Sequence, residues 1–150
     1  MDPSRIREEI LAERRRSRQI LDDARAIAEL VMERRAEESV ELHEVAHRLE
    51  KALADLYDTE EEILDPVLRE VDAWGEVRSS GLLEYHRTQR SVIRVACAEV
   101  LEGRLPAWRA AAEILELLEN IDQALIESER EYLSPDLLRD DLVTIRQADG

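Results

Sequence analysis

The chain is short of the residues that make turns, crosslinks and aromatic cores. Its 150 residues include four glycines, four prolines, one cysteine and no phenylalanine. So few turn formers exclude a design of many short strands, and the plentiful Ala, Leu, Glu and Arg favour long helices instead. The lone Cys97 excludes a disulfide framework and reads as a small core residue rather than a reactive thiol. No stretch approaches the run of about 18 uncharged apolar residues that a membrane-spanning helix needs. The opening MDPSRIREEILAERR lacks the apolar centre of a signal peptide, so a cytoplasmic protein is expected.

Positive charge is scarce as well. Twenty-one Lys and Arg face 36 Asp and Glu, a net charge of −15, which argues against nucleic acid or an anionic membrane as partner. The one basic run, Arg14, Arg15, Arg16 and Arg18, reads as a solvated helix face because Glu8, Glu9 and Glu13 lie beside it.

What the chain does have is a repeat. ILAERRRSRQIL (10–21) is echoed by LLEYHRTQRSVI (82–93), and DLYDTEEEILDP (55–66) by ALIESEREYLSP (124–135). Two helical elements therefore occur twice in the same order. The expected fold is all-α, one domain over 1–150: a single up-down-up-down four-helix bundle with a short C-terminal helix at DLLRDDLVTI.

The first helix is expected from Pro3 or Ser4 to about Arg35, and the second from after Ser39 to about Leu64, ended by Pro66, with a brief helical piece after Pro66 that ends at Trp74-Gly75. The third starts at a Ser79-Ser80 cap and stops at Gly103; the fourth runs from Pro106 to about Ser134.

Several charged residues sit on the apolar stripes of these helices. Glu60 falls in the stripe Leu49, Leu53, Leu56, and His86 in the stripe Leu82, Ile93, Cys97. Glu129 lies about 40° from Leu125, Arg14 lies at the edge of its stripe, and Arg90 follows His86 by one turn. Glu60 and Glu129 are equivalent by repeat, as are Arg14 and His86. All four helices thus aim a charged group at one region, with Tyr57 and Tyr132 flanking it. Buried carboxylates need a counter-charge, supplied either by a metal or by Arg14, Arg90 and His86; failing both, the side chains would snorkel to the bundle ends.

At these residues the chain resembles the hemerythrin family of cation-binding four-helix bundles, over about residues 6–136. The family carries a His where ILAERRRSRQIL has Arg14. On its second and fourth helices a His precedes a Glu by four residues, followed by a Leu-x-Pro ending. Here those positions are Leu56, Glu60 and Pro66, and Leu125, Glu129 and Pro135. The His of the family's third-helix Glu-His-Arg is kept as His86, and a second His one turn on is replaced by Arg90. The resemblance implies a bundle whose relatives hold two irons and handle oxygen, nitric oxide or iron.

Arg14, Leu56 and Leu125 remove three histidine ligands. The expectation is a non-enzymatic ligand- or protein-binding, regulatory module with a buried Arg–Glu–His network in place of the metals and no cofactor. The alternative is a reduced iron or divalent-metal site on Glu60, His86 and Glu129, in an oxygen- or nitric-oxide-sensing protein. Either way the partner is an unknown protein or small ligand, and the chain a monomer or homodimer.

One further motif competes. His43-Glu44-Val45-Ala46-His47 matches HExxH, in which two histidines hold zinc and the glutamate acts as general base. Both histidines lie well off the stripe Leu42, Val45, Leu49, so solvated side chains are expected, with a zinc hydrolase as the weaker alternative.

Overall fold

The computed structural model describes residues 2–140 and is helical throughout, with no strand among the described residues. Four long helices make the frame: α1 (Pro3–Glu33), α2 (Val40–Thr59), α4 (Gly75–Glu102) and α5 (Ala107–Tyr132). Between α2 and α4 lie a π-helical turn, Glu60–Leu64, and the short α3, Asp65–Glu70. Each long helix packs against two others: α1 and α4 both touch α2 and α5. That places α1 diagonally opposite α4, as in a bundle whose chain neighbours are antiparallel. No helix among the described residues is long and apolar enough to cross a membrane.

The links explain the boundaries. At α1's end Arg35 turns left-handed (φ 50°), Ala36 N–H donates to Val31 O at 3.2 Å, and Arg35 N–H to Met32 O at 3.1 Å. That pair of bonds closes the helix, at a position where glycine is the usual occupant. Ser39 caps α2, accepting from Leu42 N–H at 3.1 Å. The α4–α5 link then docks on the α1–α2 link. Ala107 N–H donates to Glu37 O and Trp108 N–H to Ala36 O, both at 2.9 Å, so α5's first donors are satisfied by chain from the same end of the bundle. Gly103, left-handed at φ 67°, ends α4 as expected.

Two boundaries differ from expectation. The second helix does not stop at Pro66 but widens into the π-turn and continues as α3. Proline has no N–H to give, and the wider turn, in which Asp65 N–H bonds Glu60 O, absorbs the ring without ending the helical path. The third helix starts at Gly75 rather than at Ser79-Ser80. Asp72 makes the turn, accepting from Trp74 N–H at 2.9 Å through its side chain and from Gly75 N–H at 3.3 Å through its backbone. Ser79 is then inside α4, buried, and accepts a bond from Arg69 Nε at 3.1 Å. A side chain at position 75 would sit 2.1 Å from the Arg69 carbonyl oxygen, so this turn requires glycine. Where the C-terminal helix was expected, residues 135–137 form a turn beside the buried Leu138 and Asp140 is helical; positions 141–145 lie outside the described residues.

The apolar interior is in two parts. The larger fills the bundle from Leu21 to Val31 on α1, Leu42 to Tyr57 on α2, Ile93 to Val100 on α4 and Ala107 to Leu125 on α5. The smaller gathers Ile6, Ile10, Leu64, Leu68, Leu82 and Tyr132 at the other end. A polar layer lies between them: Arg14, Glu60, His86 and Ser128 are all buried.

Candidate functional site

The polar layer is built on a fork. Arg14 of α1 donates from Nε to Glu60 Oε2 and from Nη2 to Glu60 Oε1, both at 3.0 Å. Its remaining nitrogen, Nη1, donates to the Leu125 carbonyl and to Ser128 Oγ on α5, each at 3.0 Å. Planar, two-pronged pairing of this kind suits guanidinium and carboxylate and is stronger than a neutral hydrogen bond. From α4, His86 Nε2 donates to Glu60 Oε1 at 3.1 Å. Glu60 and His86 are both 0% exposed, and Arg14 is 7% exposed.

A second fork stands toward the surface. Arg90, also on α4, donates from Nη1 and Nη2 to the two oxygens of Glu61 at 2.9 and 3.0 Å, and from Nη2 to Asp58 at 2.7 Å. Its guanidinium lies 5.8 Å from the Tyr57 ring centre. The His86 ring stands between the two forks, with Nδ1 3.3 Å from Glu61 Oε1, within ion-pair range but without hydrogen-bond alignment. It is packed between Tyr57 (centroids 4.7 Å) and Tyr85 (5.3 Å), whose hydroxyls are buried too.

The electrostatics follow from this arrangement. Burial works against an ionised Glu60, but the hydrogen bond from His86 and the charge and hydrogen bonds of Arg14 outweigh it and hold the carboxyl below its ordinary range. Burial likewise opposes charge on Arg14, and Glu60 overcomes it, raising the guanidinium further. The hydrogen bonds from Arg90, partly offset by burial, pull Glu61 down, while burial pushes the Tyr57 phenol up. Each carboxylate of the inner and outer forks therefore has its own arginine.

Not every residue expected here arrives. Glu129 is exposed, and Ser128 takes the inward place on α5. The reason is the stripe's step: Ile114, Leu118, Ile121, Leu125, Ser128 and Tyr132 alternate spacings of four and three, which leaves Glu129 a further 100° round, in water. Arg90 serves Glu61 and Asp58 rather than Glu60. Ser128, Glu61, Asp58 and Tyr85 were not anticipated. Ser128 was within reach of the sequence, lying three residues after Leu125 and four before Tyr132.

The donors of this layer do not suit a metal cluster. Both Glu60 oxygens are engaged by Arg14, and Leu56 and Leu125, buried at 1% and 5%, present only carbon. Among the described residues no group of three or more His, Cys, Asp or Glu side chains is placed to hold an ion. His43, Glu44 and His47 are exposed on α2, off the buried stripe. The rest of the arginine run is at the surface, where Arg16 pairs with Glu13 and Arg18 with Asp122. Cys97 is buried with its thiol pushed up to about 12, chiefly by burial, which leaves it the small core residue expected.

What these features define is an all-helical bundle with an ion-paired layer between two apolar cores. No protein-family model, curated protein or solved structure matches the chain.

Proposed function

We propose that this chain is a non-enzymatic, hemerythrin-like bundle in which arginine has taken over the charge balance that metals supply in that family. The Arg14 fork on Glu60 carries the reading: a buried carboxylate is neutralised inside the bundle, at the place where the family resemblance puts a metal ligand opposite a histidine. Leu56 and Leu125 fill two more ligand positions with carbon, which supports the same conversion. With both oxygens engaged by Arg14, the Glu60 carboxylate is committed to the ion pair rather than to acting on a substrate. The layer's role is to hold four helices in one register, so that the outside of the bundle serves as a ligand- or protein-binding, regulatory surface.

Elemental analysis and absorbance after anaerobic incubation with Fe(II) test the proposal. The expected result is no stoichiometric iron in wild type, and an unchanged result in His86→Ala. Two tightly held irons per chain overturn it, and one iron lost on His86→Ala replaces it with a reduced metal site.

A further inference from the structure

The groove between α4 and α5, on the outside of the larger core, is a second place where the surface is unusual. It has a volume of about 410 Å³. Its floor is Leu117 with the small Ala96, and its α4 wall is Val92 and Val95, 40% and 59% exposed. Glu99 continues that wall, while Glu113 and Glu116 form the α5 wall. Val92, Val95 and Glu99 follow one another at steps of three and four, so they line one face of α4 over about two turns.

The charges here are poorly served. Glu99, Glu113 and Glu116 line the groove together, and the neighbouring Glu99, then burial and the charge of Glu116, raise the Glu113 carboxyl against a smaller opposing effect of Arg109. Some carboxylates elsewhere do face arginines, as at Glu60, Glu61 and Asp122. No ion pair among the described residues involves Glu99, Glu113 or Glu116. Two crowded carboxylates beside exposed valines favour an occupant that brings both cations and apolar side chains. A lone divalent ion would leave the valines wet, and a purely apolar one would leave the carboxylates crowded.

We infer that this groove is a docking surface for a basic amphipathic helix of a partner protein, whose apolar face covers Val92, Val95 and Leu117 while its Lys or Arg side chains reach Glu99, Glu113 and Glu116. An amphipathic helix can lay its apolar side along this face of α4, and charge complementarity selects the sign of the partner. The groove is separate from the buried layer, so either inference stands or falls alone.

The test is fluorescence anisotropy of a labelled helical peptide of leucine and lysine, its leucines on one face, titrated with the full chain. A peptide of the same composition with leucines scattered round the helix is the control. The patterned peptide is expected to bind more tightly, and Val95→Asp and Glu113→Gln each to weaken it by about tenfold or more. Both positions are at the surface, and unchanged circular dichroism verifies folding. Equal binding of the two peptides, or indifference to both variants, overturns the inference in favour of general attraction to an acidic protein. Absence of binding overturns it outright. Val95-dependent binding to phosphatidylcholine vesicles in place of the peptide assigns the groove to lipid instead.

Discussion

The ends of α2 and α5 repeat one another in sequence and differ in what they bury. Each runs Leu, three residues, Glu, then on to proline: Leu56, Glu60 and Pro66 on one, Leu125, Glu129 and Pro135 on the other. Glu60 is fully buried and Glu129 is exposed. On α2 the inward face is broad, taking both Leu56 and Tyr57 before Glu60, and the π-turn carries it on to Leu64. On α5 the face is narrow; Ile126, the counterpart of Tyr57, is 44% exposed, and the next inward residue is Ser128. A carboxylate goes inside where an arginine can meet it with both oxygens. On the other side Arg14 has only one nitrogen left, and a serine hydroxyl with a carbonyl suffices for it. One guanidinium thus joins two unlike ends of a duplicated design.

The strongest way to break this comparison is to remove the arginine. Arg14→Met leaves Glu60 buried without its cation, and an unpaired buried charge costs about 3–5 kcal/mol. The double variant Arg14→Met with Glu60→Leu removes both charges and is expected to recover most of that loss, since apolar replacement of a buried pair is often near neutral. Urea denaturation of wild type, both single variants and the double gives the coupling directly. A double variant as unstable as Arg14→Met alone would show that the bundle depends on the hydrogen bonds to α5 rather than on the inner pair.

Acid separates the two ends next. Against its burial, the hydrogen bond from His86 and the charge of Arg14 hold Glu60 below its ordinary range. The sign follows: its stabilising effect is fully present above the unfolded-state value, about 4.3 for a free glutamate, and is lost as pH falls through the lower folded value. Glu61 adds a smaller effect of the same sign, because it is partly in water. Unfolding midpoints of wild type should therefore drop below about pH 4.3, while Glu60→Gln, already destabilised at neutral pH, shows a shallower acid limb. Parallel acid limbs in the two proteins would remove Glu60 from the account.

How much of this was legible beforehand divides along the same line. The helices, their order and most inward positions follow from spacing, because a stripe of Leu and Ala repeats over many turns and averages out local error. Arg14, Glu60 and His86 were legible as charged residues on such stripes. The π-turn was not: Pro66 announces an interruption, and no local pattern tells whether a helix ends there or widens and goes on. Repeat equivalence with Glu60 points Glu129 inward, but the two faces do not step alike. The two stripes coincide at Leu49 and Leu118 and again at Leu56 and Leu125, but α2 then steps by four to Glu60 while α5 steps by three to Ser128. Serine is a frequent helix cap, which points to Ser79, but here Asp72 and Gly75 make the turn earlier in the chain.

The α5 half of the fork is tested by Ser128→Ala. Arg14 Nη1 keeps the Leu125 carbonyl and loses the hydroxyl, so the cost is expected at about 1.5–3 kcal/mol, the range for a hydrogen bond to a charged donor. Arg90→Gln is expected to cost less, about 1 kcal/mol or below, because its fork is partly in water and Glu61 can be solvated when it is lost. Thermal denaturation orders the two variants, and a larger effect for Arg90 would move the centre of the layer outward.

The smallest expected effect is the most direct test of the unequal ends. Glu129→Gln changes an exposed side chain and should shift stability by no more than about 0.5 kcal/mol at any pH, whereas Glu60→Gln at the equivalent position removes a charge from inside the bundle. The two substitutions are chemically identical and sit at matching places in the repeat, so any difference between them measures the environment alone. If both proved costly, the α5 end would have to present Glu129 inward in solution, and Ser128 would lose its place beside Arg14. If both proved harmless, burial of Glu60 would carry no energetic consequence, and the fork would be an ornament of packing rather than what fixes α1, α2 and α5 to one another.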